Sequence, residues 1–137
     1  MIQSSVGHLQ YNIDLKNAGF YRDLLTFLGW KVLYDDPDVL GMEGANKVSL
    51  WFAAVTKGSG NDYDANGANH IGLSVPHQSD VDETVAYLKA HNVAALFETP
   101  RHRPDFCESE DATYYQVMFE SPDRILFEVV YTGPKGK

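Results

Sequence analysis

Gly7-His8-Leu9-Gln10-Tyr11-Asn12-Ile13 and Asn69-His70-Ile71-Gly72-Leu73-Ser74-Val75 read as two versions of one segment, 62 residues apart. Apolar positions 9, 11 and 13 fall on apolar 71, 73 and 75. Because side chains alternate across a strand, His8, Gln10 and Asn12 share one face, and His70, Gly72 and Ser74 share the matching face of the second copy. Each histidine lies on the more polar face. This is the alternation of a sheet whose apolar face packs beneath a helix while its other face lines a wet cavity.

A helix-period segment follows each strand. Phe20, Leu24, Phe27 and Leu28 form the first stripe, and Gly29 ends it. In the second, Ser79 with Asp82 resembles a capping box, Val81, Val85 and Leu88 form the stripe, and Asn92 ends it. Gly29 and Asn92 correspond between the copies, and both residue types tolerate the left-handed conformation that closes a helix.

Three strand-like runs then complete each copy: Trp30 to Tyr34, Val39 to Glu43 and Val48 to Val55 in the first, and Val93 to Glu98, Thr113 to Phe119 and Ile125 to Tyr131 in the second. The expected fold is α+β, one domain over 1–137 made of two βαβββ modules. Module one covers about 5–56 and module two about 68–132, joined by a polar, glycine-rich linker at about 57–67.

Composition is that of an ordinary globular chain, with 44% hydrophobic and 22% charged residues. Net charge is −8 and the basic residues are scattered apart from Arg101-His102-Arg103, so no electrostatic footprint for nucleic acid is present. No apolar run is long enough to cross a membrane, and Met1-Ile2-Gln3-Ser4-Ser5 lacks signal-peptide character. The single cysteine, Cys107, cannot form an intramolecular disulfide, and a reducing cytoplasm is the expected compartment. Cys107 has no evident base in the sequence and reads as inert. His77, His91 and His102 read as surface or loop residues.

His8, His70 and Glu128 are the candidate metal ligands. Two imidazoles and one carboxylate suit a divalent ion that keeps open positions for catalysis. A strand glutamate buried without a partner is costly, and a divalent ion would neutralise it.

The chain resembles the vicinal oxygen chelate superfamily, which includes glyoxalase I, fosfomycin-resistance and bleomycin-resistance proteins and extradiol dioxygenases. The resemblance is carried by His8 to Leu15, Phe20 to Leu25 with Leu28-Gly29-Trp30, His70 to Val75, and above all Tyr114 to Val130. It implies paired βαβββ modules forming a half-open, barrel-like mixed sheet around a cavity, helices on the outer face, and a homodimer. It also implies His8, His70 and Glu128 as ligands of Fe²⁺, Mn²⁺, Zn²⁺ or a similar ion.

Two departures from the family pattern bear on chemistry. Many members carry a fourth ligand, a glutamate, on the last strand of module one, where Val48-Ser49-Leu50-Trp51-Phe52 offers none and Leu50 stands nearest the place. Arg124 replaces the glycine usual after Pro-Asp in the last turn, which puts that turn's geometry in question. The three-ligand count matches extradiol dioxygenases and fosfomycin-resistance enzymes better than the two-glutamate design of glyoxalase I. Gln10 and Gln116 are candidate catalytic amides, and Leu50, Phe52, Tyr114 and Met118 candidate pocket walls.

The expected function is therefore that of a small-molecule metalloenzyme, with dioxygenase or lyase/isomerase chemistry. The alternative is a metal-free sequestration protein of the bleomycin-resistance type.

Overall fold

The computed structural model describes residues 1–55, 57, 58 and 60–137. Thr56 and Ser59, at the end of the first expected module and inside the expected linker, lie outside the described residues. The chain divides into two compact units, residues 1–60 and 61–137. Each runs strand, helix, three strands.

The first unit contains β1 (His8–Ile13), α1 (Ala18–Phe27), β2 (Lys31–Asp35), β3 (Val39–Glu43) and β4 (Ser49–Ala54). Its sheet has the order β1-β4-β3-β2, with β1 parallel to β4 and the remaining pairs antiparallel. The sheet is open, with β1 and β2 at its edges. The buried stripe of α1 is Tyr21, Leu24 and Leu25, turned by about one position from the expected Phe20, Leu24, Phe27 and Leu28; Phe27 is exposed. Tyr21 stacks on Phe52 of β4 at 4.2 Å between ring centroids, which fixes the helix-facing side of the sheet. Gly29 ends the helix with φ 86°, and Trp30 N donates to Leu25 O, the left-handed closure the sequence indicates. Arg22 clamps α1 to β2 through two hydrogen bonds to Asp35, at 2.8 and 2.9 Å.

The second unit repeats the plan with β5 (Ile71–Ser74), α2 (Gln78–Ala90), β6 (Leu96–His102), β7 (Ala112–Glu120) and β8 (Leu126–Pro134), in the order β5-β8-β7-β6. Its sheet is likewise open at β5 and β6. Val117, Phe119, Phe127 and Val129 are fully buried on one face, and Tyr115 of that face donates to Asp82 of α2 at 2.7 Å. That face is therefore the one beneath the helix. By alternation, Tyr114, Gln116, Met118, Leu126 and Glu128 occupy the other.

Local details differ from the sequence reading in instructive ways. α2 starts two residues earlier than expected, and its capping pair is His77 with Asp80 rather than Ser79 with Asp82: His77 N donates to Asp80 Oδ2 at 2.9 Å. Asp82 is free of the cap and receives Tyr115 instead. Asn92 adopts φ 58° after the helix, as its correspondence with Gly29 indicates. β6 begins at Leu96, not Val93, and runs to His102 through an irregularity between Leu96 and Arg101. Phe97 and Glu98 there have φ of 56° and 60°, a bulged backbone that re-aims side chains.

Arg124 takes φ 59° in the β7–β8 turn, so the left-handed geometry survives without glycine. Its guanidinium lies 4.8 Å from the centre of the Tyr63 ring and pairs with Glu120 and Asp64, interactions that offset the steric cost. No helix is long and apolar enough to cross a membrane, among the described residues.

Candidate functional site

A cavity of about 620 Å³ lies within the second unit, on the face of its sheet away from α2. Its walls include Tyr114, Gln116 and Met118 of β7, Glu128 of β8 and Arg101 of β6, with His70 just before β5 and Arg103 and Phe106 from the segment after β6.

His70 directly precedes β5, and its neighbour fixes its chemistry. Asn69 Nδ2 donates to the Tyr63 carbonyl at 3.0 Å, which orients the amide so that Oδ1 faces the imidazole. Oδ1 lies 2.7 Å from His70 Nδ1 and can only accept, so the neutral ring carries its proton on Nδ1. The Nε2 lone pair is left free. An acceptor that takes the far ring N–H is the usual device for presenting a histidine's other nitrogen to a metal or a proton.

Glu128 is only 5% exposed, yet its partners are neutral. Tyr114 donates its hydroxyl to Oε1 at 2.6 Å, and Gln116 donates its amide to Oε2 at 3.0 Å. Among the described residues no lysine, arginine or histidine lies within ion-pair distance of it. A buried carboxylate whose charge is solvated by two neutral donors retains a strong preference for a cation. Burial, then the bond to Glu128, push the Tyr114 phenol up to about 12, so near neutral pH it acts only as a proton-bearing donor.

Gln116 is 2% exposed, and its carbonyl Oε1 is buried with no partner, the only such side-chain atom among the described residues. An orphaned buried acceptor costs of order 1–3 kcal/mol, which a donor that reached it would recover. Met118 is fixed beside it, its backbone N donating to Thr99 Oγ1 at 2.9 Å.

The β6 side of the cavity is cationic and aromatic. The Arg103 guanidinium sits 4.9 Å from the centre of the Phe106 ring, and Phe106 meets Tyr114 edge-on at 5.2 Å. Arg101 pairs with Glu98 at 3.7 Å, although the Glu98 side chain is 90% exposed.

The remaining candidates belong to the first unit. His8 and Gln10 are exposed on β1, alongside Ser49 and Trp51 of β4. Leu50 and Phe52, expected on the pocket wall, are each 1% exposed and lie on the face packed beneath α1, with Phe52 against Tyr21. The fourth-ligand position shifts accordingly by one residue. Gly72 pairs with Glu128 in the second unit, and its counterpart Gln10 pairs with Trp51 in the first. Trp51, not Leu50, therefore stands where the second unit has its carboxylate. Its indole donates to Ser49 Oγ at 2.9 Å and lies so close over Gly41 that a Cβ there would come within 2.5 Å of the ring.

Sequence reasoning missed Asn69 and Tyr63 as orienters of His70, and it left Arg103 and Phe106 unused. The adjacency Asn69-His70 and the pair Arg101 and Arg103 were the available signals. Cys107 is less isolated than its sequence context suggests: its Sγ lies 4.0 Å from His102 Nε2, while His102 Nδ1 lies 2.5 Å from Thr113 Oγ1. Among the described residues no group of three or more His, Cys, Asp or Glu side chains is gathered closely enough to hold a metal ion.

The chain matches the Glyoxalase/Bleomycin resistance protein/Dioxygenase superfamily over residues 8–129, and it belongs to that family. Among solved structures it is similar to a putative glyoxalase from Bacillus halodurans, at 24% identity and a TM-score of 0.77, covering 94% of this chain and 96% of that one. A glyoxalase/dioxygenase from Nostoc punctiforme matches at 18% identity and a TM-score of 0.74, covering 94% and 91%. The lactoylglutathione lyase of Agrobacterium tumefaciens matches at 19% identity and 0.65, covering 94% of each. These likenesses establish the fold. No curated protein sequence matches the chain.

Proposed function

We propose that the protein is a small-molecule metalloenzyme of the glyoxalase/dioxygenase type, holding a divalent ion such as Fe²⁺, Mn²⁺ or Zn²⁺ with His70 and Glu128. His8, at the repeat-related position of the first unit, is the proposed third ligand. The observation that carries the reading is the Glu128 carboxylate: buried, bonded only by neutral donors, and in one cavity with a histidine whose Nε2 lone pair is presented. The donor set fits a borderline divalent cation.

When bound, such an ion supplies Lewis acidity toward vicinal substrate oxygens, in dioxygenase or lyase/isomerase chemistry. The chain's own residues do the rest. Tyr114 and Gln116 hold the Glu128 carboxylate in one orientation. Gln116 Oε1 accepts a hydrogen bond from a substrate donor, and Met118 walls the cavity beside it. Gln10 is retained as a candidate catalytic amide on the first unit's polar face.

Elemental analysis of protein purified without a chelating tag tests this. About one divalent ion per chain is expected in wild type, with strong depletion in His70→Ala and Glu128→Gln. Metal-poor wild-type protein that takes up no ion on reconstitution would defeat the reading.

One observation favours a second reading, a metal-free binding protein of the sequestering type. Trp51 presents an indole where a carboxylate would stand, a surface suited to a planar ligand. Metal-independent ligand binding lost in Trp51→Ala, together with a metal-free wild type, would select it.

A further inference from the structure

We infer that the second unit's cavity takes a small planar carboxylate, its anion held by Arg103 with Arg101 and a hydroxyl at its other end donating to the Gln116 carbonyl oxygen. This names the substrate class for the cavity and rests on the proposed reading of that cavity as the substrate site. The argument begins with a charge that lacks a counter-charge. Arg103 is half-buried on the cavity wall, and among the described residues no carboxylate lies within ion-pair distance of its guanidinium. Its guanidinium carbon lies 4.9 Å from the centre of the Phe106 ring, a contact that does not neutralise it. Arg101 adds a second cation whose partner, Glu98, is 90% solvent-exposed and readily exchanged for a ligand carboxylate. Of the two carboxylates that line the cavity itself, Asp64 is paired with Arg124 and Glu128 is held by the Tyr114 hydroxyl and the Gln116 amide.

The chain as a whole carries −8, so it repels anions at long range. Two arginines gathered on one cavity wall of so acidic a protein mark a local anion site. Planar guanidinium groups match a carboxylate through two parallel hydrogen bonds better than they match a compact sphere of charge.

The body of the ligand follows from the rings. Phe97 and Phe106 are 52% and 57% exposed and both line the cavity, and the bulge at Phe97 and Glu98 holds Phe97 there against its backbone preference. Exposed aromatic faces beside a cationic wall suit a flat conjugated framework. Gln116 lines the cavity and its Oε1 has no partner, so a ligand group that reaches it must donate: a hydroxyl, not a second carboxylate. The Tyr114 hydroxyl, committed to Glu128, does not compete for it.

Calorimetric titration with 4-hydroxybenzoate, its neutral isostere 4-hydroxybenzamide, and benzoate tests this in buffer containing EDTA. The outcome is then independent of whether the protein uses a metal, which elemental analysis of the same preparation decides separately. The carboxylate is expected to bind roughly tenfold more tightly than the carboxamide, as one charge-assisted pair provides. Arg103→Gln, with an unchanged melting temperature, should reduce that preference to about twofold or less. Benzoate, lacking the hydroxyl, should bind several-fold more weakly than 4-hydroxybenzoate in wild type and equally in Gln116→Met. If Arg103→Gln fails to fold, wild-type NMR decides: 4-hydroxybenzoate must shift the Arg103 Nε–H and the Gln116 side-chain amide. Equal affinity for acid and amide, a preference untouched by Arg103→Gln, or no saturable binding of 4-hydroxybenzoate overturns the inference.

Discussion

Gln116 donates its amide to Glu128 Oε2 at 3.0 Å and keeps its own carbonyl buried without a partner. The pair is half satisfied, which makes it the most informative contact in the second unit. Replacing Gln116 by the similarly sized Met removes the donor to a buried carboxylate and relieves the orphan acceptor at once. The lost bond to a charged group costs of order 1.5–3 kcal/mol, and the relieved acceptor returns part of it. A net destabilisation of about 1 kcal/mol is expected in urea titrations with EDTA, read as a lower midpoint at unchanged slope.

Alkaline stability should report the two β7 tyrosines. Burial and the bonds to Glu128 and Asp82 push Tyr114 and Tyr115 to about 12 from 10.0 in the unfolded chain. A folded-state value above the unfolded one stabilises fully below pH 10.0, and that contribution disappears as pH rises toward 12. Denaturation midpoints should therefore fall across this window. The fall should be shallower in Tyr114→Phe and shallower again when Tyr115→Phe is added.

The turn at Arg124 separates backbone cost from side-chain gain. Arg124→Gly frees a residue with φ 59° but loses the stack on Tyr63 and the pairing with Glu120, so stability should move by less than about 1 kcal/mol. Arg124→Val keeps the unfavourable φ, worsens it with a branched side chain and loses the same contacts, and should cost about 1–3 kcal/mol. Thermal melts of both variants make the comparison.

Gly41 and Trp51 should couple. A Cβ at position 41 would come within 2.5 Å of the indole, so Gly41→Ala should cost about 1–3 kcal/mol in wild type and distinctly less in Trp51→Leu. A double-mutant cycle with a coupling energy near zero would refute this packing.

The repeat was legible because it is written in alternation: His8 and His70, each with three apolar residues at every second place, define strand, face and fold together. Helix ends were legible too, since Gly29 and Asn92 meet a stereochemical demand. Facing was not legible at Leu50-Trp51-Phe52, because three apolar residues in a row carry no alternation. Only the pairing of Gln10 with Trp51 shows which of them shares the face of His8. Likewise the lock on His70 runs from Asn69 to the Tyr63 carbonyl, a backbone partner that no residue type announces. Arg103 and Phe106 were visible as letters, but their place on the cavity wall depends on the segment after β6, whose path no periodicity encodes.

Metal titration by calorimetry on apo protein is the most direct measurement of the central claim that His70 and Glu128 hold a divalent ion. Wild type should bind about one Zn²⁺ or Mn²⁺ per chain, and His70→Ala and Glu128→Gln should each weaken binding by at least about 100-fold while remaining folded. A mixture of His8→Ala and His70→Ala chains that regains part of the binding would assign His8 to a second copy. Binding of equal strength in wild type, His70→Ala and Glu128→Gln, or no binding in any of them, would contradict the account.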